Sequence, residues 1–115
     1  MLAFLPRWSP DSAQIAFTGL TPSPGERIYV ASAEGGSPPK LLTEDNEEQD
    51  FPYWSPDGHK MTFNVDWLDE RKNVRQDVRI LDLDTRQVTT VPGSVGLNAP
   101  RWSPDGRYLL ATKDE

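Results

Sequence analysis

The sequence predicts an all-β chain of four-stranded antiparallel blades, and three observations carry that prediction. First, a six-residue segment recurs three times: Arg7-Trp8-Ser9-Pro10-Asp11-Ser12, Tyr53-Trp54-Ser55-Pro56-Asp57-Gly58 and Arg101-Trp102-Ser103-Pro104-Asp105-Gly106. Its tryptophans lie 46 and 48 residues apart, and a period of that length marks stacked supersecondary units. Second, a strand-like run follows each copy: Gln14-Ile15-Ala16-Phe17-Thr18, Lys60-Met61-Thr62-Phe63-Asn64 and Tyr108-Leu109-Leu110-Ala111-Thr112. Ile15, Met61 and Leu109 occupy one offset, and Phe17, Phe63 and Ala111 the next on the same side. Third, no segment keeps apolar residues three and four apart long enough to form an amphipathic helix.

Each element has a local reason. In the turn, Pro56 fixes φ at the first central position, Asp57 suits the second, and Gly58 takes the positive φ that follows. Ser55 and Asp57 can bond the turn backbone through their side-chain oxygens. Ser12 stands where the other copies have Gly, and a left-handed serine costs about 1 kcal/mol or more. The first hairpin is therefore expected to be looser or differently bulged. A third strand is read from Ile28-Tyr29-Val30-Ala31-Ser32-Ala33 and its match Val78-Arg79-Ile80-Leu81-Asp82-Leu83. A fourth is read from Lys40-Leu41-Leu42-Thr43 and Gln87-Val88-Thr89-Thr90. β-Branched and aromatic residues bounded by turn residues favour strands in all of these.

The unit is thus four short strands in 46–48 residues, close to the roughly 40–50 residues of known propeller blades. The reading is a single partial β-propeller domain over 1–115, with blade one at 7–52, blade two at 53–100, and the first two strands of a third at 101–115. Trp8, Trp54 and Trp102 begin their hairpins and are expected to pack between neighbouring blades, because three copies at one repeat position signal architecture. Propellers close with roughly 4–8 blades. About two and a half are expected to belong to a larger ring, or to close by self-association.

Composition narrows the function. Twelve Lys and Arg against eighteen Asp and Glu leave a net charge of −6, with mean hydropathy −0.64. Nucleic-acid binding needs a basic surface to displace counterions, and a polybasic membrane patch needs the same, so both are disfavoured. The longest apolar run, Met1 to Leu5, is far short of the roughly 18 residues of a membrane helix. It also lacks the basic start and cleavage site of a secretory signal. There is no cysteine, which removes disulfides, thiolate metal sites and thiol nucleophiles.

Charge concentrates in two segments. The link between blades, residues 44–50, holds Glu44, Asp45, Glu47, Glu48 and Asp50 with no base. The loop between strands two and three of blade two, residues 64–77, holds Asp66, Asp69, Glu70 and Asp77 against Arg71, Lys72 and Arg75. Together these account for the whole net charge. Propeller topology puts both on one face, which is expected to be acidic and able to dock a basic partner or steer a cation. The blade-two loop carries a four-residue insertion, and Asp66-Trp67-Leu68-Asp69 within it joins an aromatic anchor to charge. These four residues, with Glu44, Asp45, Glu47 and Glu48, are the candidate contact site for a protein partner.

No metal or cofactor is expected. Calcium loops need oxygen ligands spaced around a Gly turn, and residues 44–50 contain no glycine. Neither a phosphate-binding Gly-rich loop nor a paired-histidine zinc motif is found. Gly93-Ser94-Val95-Gly96 lacks the spacing of a nucleophile elbow. His59 is the only histidine, and spacing suggests no titrating partner for it, so a surface hydrogen-bonding role is expected.

The Trp-Ser-Pro-Asp-Gly turn, the apolar strand after it, Ile28-Tyr29-Val30-Ala31-Ser32-Ala33-Glu34-Gly35-Gly36 and Lys40-Leu41-Leu42-Thr43 together resemble the WD40-like β-propeller repeat of the TolB type. The resemblance covers essentially the whole chain and is specific for fold. It implies one of three settings: a bacterial periplasmic binding module, the non-catalytic gating propeller of a prolyl-oligopeptidase-like peptidase, or the sensor-like region of a bacterial regulator. From these it implies a non-catalytic protein-binding role.

Overall fold

The computed structural model describes residues 2–22 and 25–113. The first sheet is β1 (Leu2–Trp8), β2 (Gln14–Leu20), β3 (Glu26–Ser32) and β4 (Lys40–Leu41). The second is β5 (Glu48–Trp54), β6 (Lys60–Leu68), β7 (Val74–Asp82) and β8 (Val88–Thr90), and the third pairs β9 (Leu97–Trp102) with β10 (Leu109–Lys113). Every pairing is antiparallel between neighbours in sequence. β1, β5 and β9 contact one another in succession, whereas β4 and β8 contact only β3 and β7. The sheets therefore fan out from an edge made by their first strands, as propeller blades do.

The repeated tryptophan ends the first strand of each blade rather than beginning the hairpin. Boundaries drawn at residues 7, 53 and 101 consequently cut β1, β5 and β9 near their ends. Those strands are hard to see in the sequence because a bulge interrupts them. The register of β1 against β2 shifts between Phe4 and Arg7, and that of β5 against β6 between Asp50 and Tyr53. Leu5, Phe51 and Ala99 have φ of 53°, 55° and 51°, and a proline follows each. Proline has no amide hydrogen to give a ladder, so an edge strand at a bulge is where it fits.

The three turns share one hydrogen-bond set. Ser9, Ser55 and Ser103 each donate to the Asp two residues on, at 2.6 Å. Those carboxylates accept backbone amides of Ala13, His59 and Arg107, and the serine oxygens accept those of Gln14, Lys60 and Tyr108. These bonds, with the serine the largest influence, hold Asp11, Asp57 and Asp105 below the usual carboxylate range. Ser12 adopts φ 60° and its turn carries the same set as the glycine copies. The first hairpin is not looser, because the Ser9–Asp11 bonds fix the turn whatever residue follows.

The main core lies between the first two sheets. Ala16, Ile28 and Leu42 of the first meet Trp54, Met61, Phe63, Val65 and Leu81 of the second. Trp54 is 7% exposed and its indole donates to the Arg7 carbonyl of the preceding blade at 3.0 Å. Trp102 is half-buried. Trp8 departs from the expected packing at 59% exposed, because no described sheet lies on its side of β1.

Candidate interaction face

The four-residue insertion lengthens strands, not the loop. β2 and β3 have seven residues each while β6 and β7 have nine, and the same number of residues, 21–25 and 69–73, separates each pair of strands. The second blade thus projects a longer hairpin. Asp69 ties its tip: the carboxylate accepts the amides of Arg71 (2.9 Å) and Asn73 (3.0 Å) and the Arg75 Nε (2.9 Å). The Asn73 amide bond is the first cause of its lowered pKa. Just below, Leu68 and Val74 face each other across the ladder, 59% and 71% exposed.

Trp67 is not a loop residue. It lies on β6, half-buried against the core, and its indole donates to Asp77 Oδ2 at 3.0 Å. Asp77 also accepts Arg79 Nε at 2.6 Å, and Arg79 reaches Glu47 Oε2 at 3.5 Å. This chain of contacts links the blade-two hairpin to the link between blades. Period-two alternation continued past Asn64 would have placed Val65 and Trp67 inward beside Phe63.

The acidic link is partly neutralised from the third strands. Asp45 meets Arg27 at 3.5 Å and Glu47 meets Arg79, while Glu44 stays exposed. Glu48 lies within β5, directly opposite Asp66 on β6. Its Oε1 also accepts the Glu26 amide at 3.4 Å. Glu26, Glu48, Asp50 and Asp66 form the uncompensated part of the face. Burial first, then the charges of Asp66 and Glu26, a hydrogen bond with Glu26 and the Glu48 charge push Asp50 up to about 8. Burial, Glu48 and Glu26 raise Asp66 as well. Glu26 was missing from the sequence-derived set because only the packing of the first sheet on the second brings β3 beside β5. Val74 was missing because the strand extension was read as loop.

Among the described residues no group of three or more His, Asp or Glu has the geometry to hold a metal ion. His59 Nδ1 lies 3.0 Å from Asp84 Oδ2, a partner that its spacing in the chain did not reveal. Both side chains are largely exposed, and the pair joins the β5–β6 turn to the β7–β8 turn.

Comparison with known proteins follows the fold. No model of a known protein family matches the chain. The crystal structure of TolB from Acinetobacter baumannii superposes with a TM-score of 0.78 at 27% identity, over 99% of this chain and 27% of that one. The Tol-Pal system protein TolB of Alcanivorax borkumensis is 36% identical over 87 residues, which are 75% of this chain and 19% of that protein. The uncharacterized peptidase YuxL of Bacillus subtilis is 35% identical over 83 residues, 63% of this chain and 12% of that protein. The chain thus spans less than a fifth of the length of these two relatives. Fold and comparisons together define an all-β propeller module. More particularly, it has the architecture of part of a TolB-like propeller.

Proposed function

We propose that the chain is a non-catalytic propeller module that binds a protein partner through the β6–β7 end. The observation that carries this reading is the lengthened hairpin, whose exposed Leu68–Val74 pair sits beside the opposed carboxylates Glu48 and Asp66. An apolar pair rimmed by charge is the usual make-up of a contact surface. The partner face that fits it carries an apolar residue among Lys or Arg. The outward face of the first blade, with Trp8, Ile15 and Phe17, repeats the positions by which Trp54, Met61 and Phe63 pack on their neighbour. A further sheet, from the rest of a longer polypeptide or from a second copy, covers it in this reading.

The test places a photo-crosslinking residue at Leu68, at Val74 and, as a control, at Glu34 on the opposite end. One discrete adduct shared by the first two sites and absent from the third is expected. Adducts of equal yield at all three would remove the assignment. A second reading, the propeller of a peptidase, is favoured by the YuxL likeness. It requires a hydrolase domain with a Gly-x-Ser-x-Gly elbow in the same reading frame.

A further inference from the structure

The position before each repeated tryptophan is Arg7, Tyr53 and Arg101. The fold gathers them at the inner edge of the blades, at the end that carries the Ser-Pro-Asp turns. The guanidinium carbons of Arg7 and Arg101 lie 5.6 and 5.8 Å from the centroid of the one Tyr53 ring. That is cation–π range for each, so one ring takes two cations.

Among the described residues no carboxylate comes within salt-bridge distance of Arg7 or Arg101, although Arg27, Arg75 and Arg79 each meet one. Arg7 Nη1 donates to the Pro6 carbonyl at 3.2 Å, but its Nε is buried without a partner. The buried indole nitrogen of Trp102 is also without one. Buried donors of this kind are normally satisfied.

Arg7 and Trp102 line a cleft of about 380 Å³ whose other walls include Trp8, Tyr53 and Trp54. Arg7 and Arg101 together line a second hollow of about 80 Å³ that continues along the same three strands, beside Tyr53 and between Leu5, Phe51 and Ala99. These last are the three bulge residues with positive φ. A guanidinium fork matches a carboxylate in shape as well as charge. Leu5, Phe51, Pro52 and Pro100 beside the two cations suit an extended chain better than a free ion.

We propose that this groove binds an acidic peptide segment, with its carboxylates seated against Arg7 and Arg101 and the chain laid along β1, β5 and β9. The site is separate from the β6–β7 end and does not depend on the reading of that surface.

The experiment titrates the 115-residue chain with hexaglutamate and hexaglutamine peptides, acetylated and amidated, and follows tryptophan fluorescence. Three of the four tryptophans line the cleft. Saturable binding of hexaglutamate alone is expected, weakened about tenfold or more by Arg101→Gln, the loss typical of a charged hydrogen bond. Arg101 is exposed, so its replacement leaves the fold intact. Arg7→Gln should act in the same direction, and inorganic phosphate at the same concentration should not displace the peptide. Absence of hexaglutamate binding, equal binding of hexaglutamine, unchanged affinity in Arg101→Gln, or displacement by phosphate would each overturn the proposal.

Discussion

Replacing Trp54 by Ala is expected to cost about 3–5 kcal/mol of folding stability, the range for a buried large aromatic. The indole is 7% exposed between the first two sheets, and it also satisfies the Arg7 carbonyl. Alanine would leave both a cavity and an unpaired carbonyl. Trp8→Ala is the matched control, at the same repeat position but 59% exposed. It should change stability by less than about 1 kcal/mol, as surface substitutions do. Urea titrations followed by far-ultraviolet circular dichroism read both. Equal losses in the two variants would mean that the tryptophan position is not what joins the blades.

The second large effect is on pH. The Asp50 carboxyl is pushed up to about 8 in the folded chain, against about 3.9 for an unfolded aspartate. The folded state therefore binds a proton that the unfolded state releases, and stability falls as pH rises from about 4 to 8. Asp11, Asp57, Asp69, Asp82 and Asp105 are shifted the other way, so their contribution is lost only as pH falls below the ordinary carboxylate range. Maximum stability is accordingly expected in mildly acid solution. The groups around Asp50 are all acids, Glu26, Glu48 and Asp66, which is why no local cation opposes the shift. Asp50→Asn should flatten the dependence between pH 5 and 8 and raise the urea midpoint at pH 8. A parent chain whose midpoint rises from pH 5 to 8 would contradict the assignment.

The repeated turn and the strand after it were legible from residue identity alone, since Pro, Asp and Gly are chosen by backbone angles and Ile, Met and Phe by burial. The same holds for the third and fourth strands. The first strands were not legible, because Glu48-Gln49-Asp50 reads as a solvated link. Its strand character comes from pairing with β6 beside a bulge that breaks the alternation. A second periodic signal was present there, the prolines Pro6, Pro52 and Pro100 two residues before each tryptophan. For the candidate face, the sequence placed the acids at one end but misread Trp67, whose hydrogen bond to Asp77 crosses ten residues of chain. Long-range packing also decided which acids meet a cation. Arg27 and Arg79 neutralise Asp45 and Glu47, and Glu26 joins Glu48, Asp50 and Asp66 instead. No local pattern contains that information. The Arg7–Tyr53–Arg101 cluster lay in plain view as the variable position of the repeat, but only the fan of the blades brings two cations to one ring.

The central claim is that the sheets are blades joined through the repeated tryptophan. Acrylamide quenching of single-tryptophan chains tests it most directly, with the other three indoles replaced by phenylalanine. The account predicts that Trp54 is strongly shielded, in keeping with its 7% exposure and its bond to the neighbouring blade. Quenching of Trp54 at the rate of a free indole in the folded chain would contradict it.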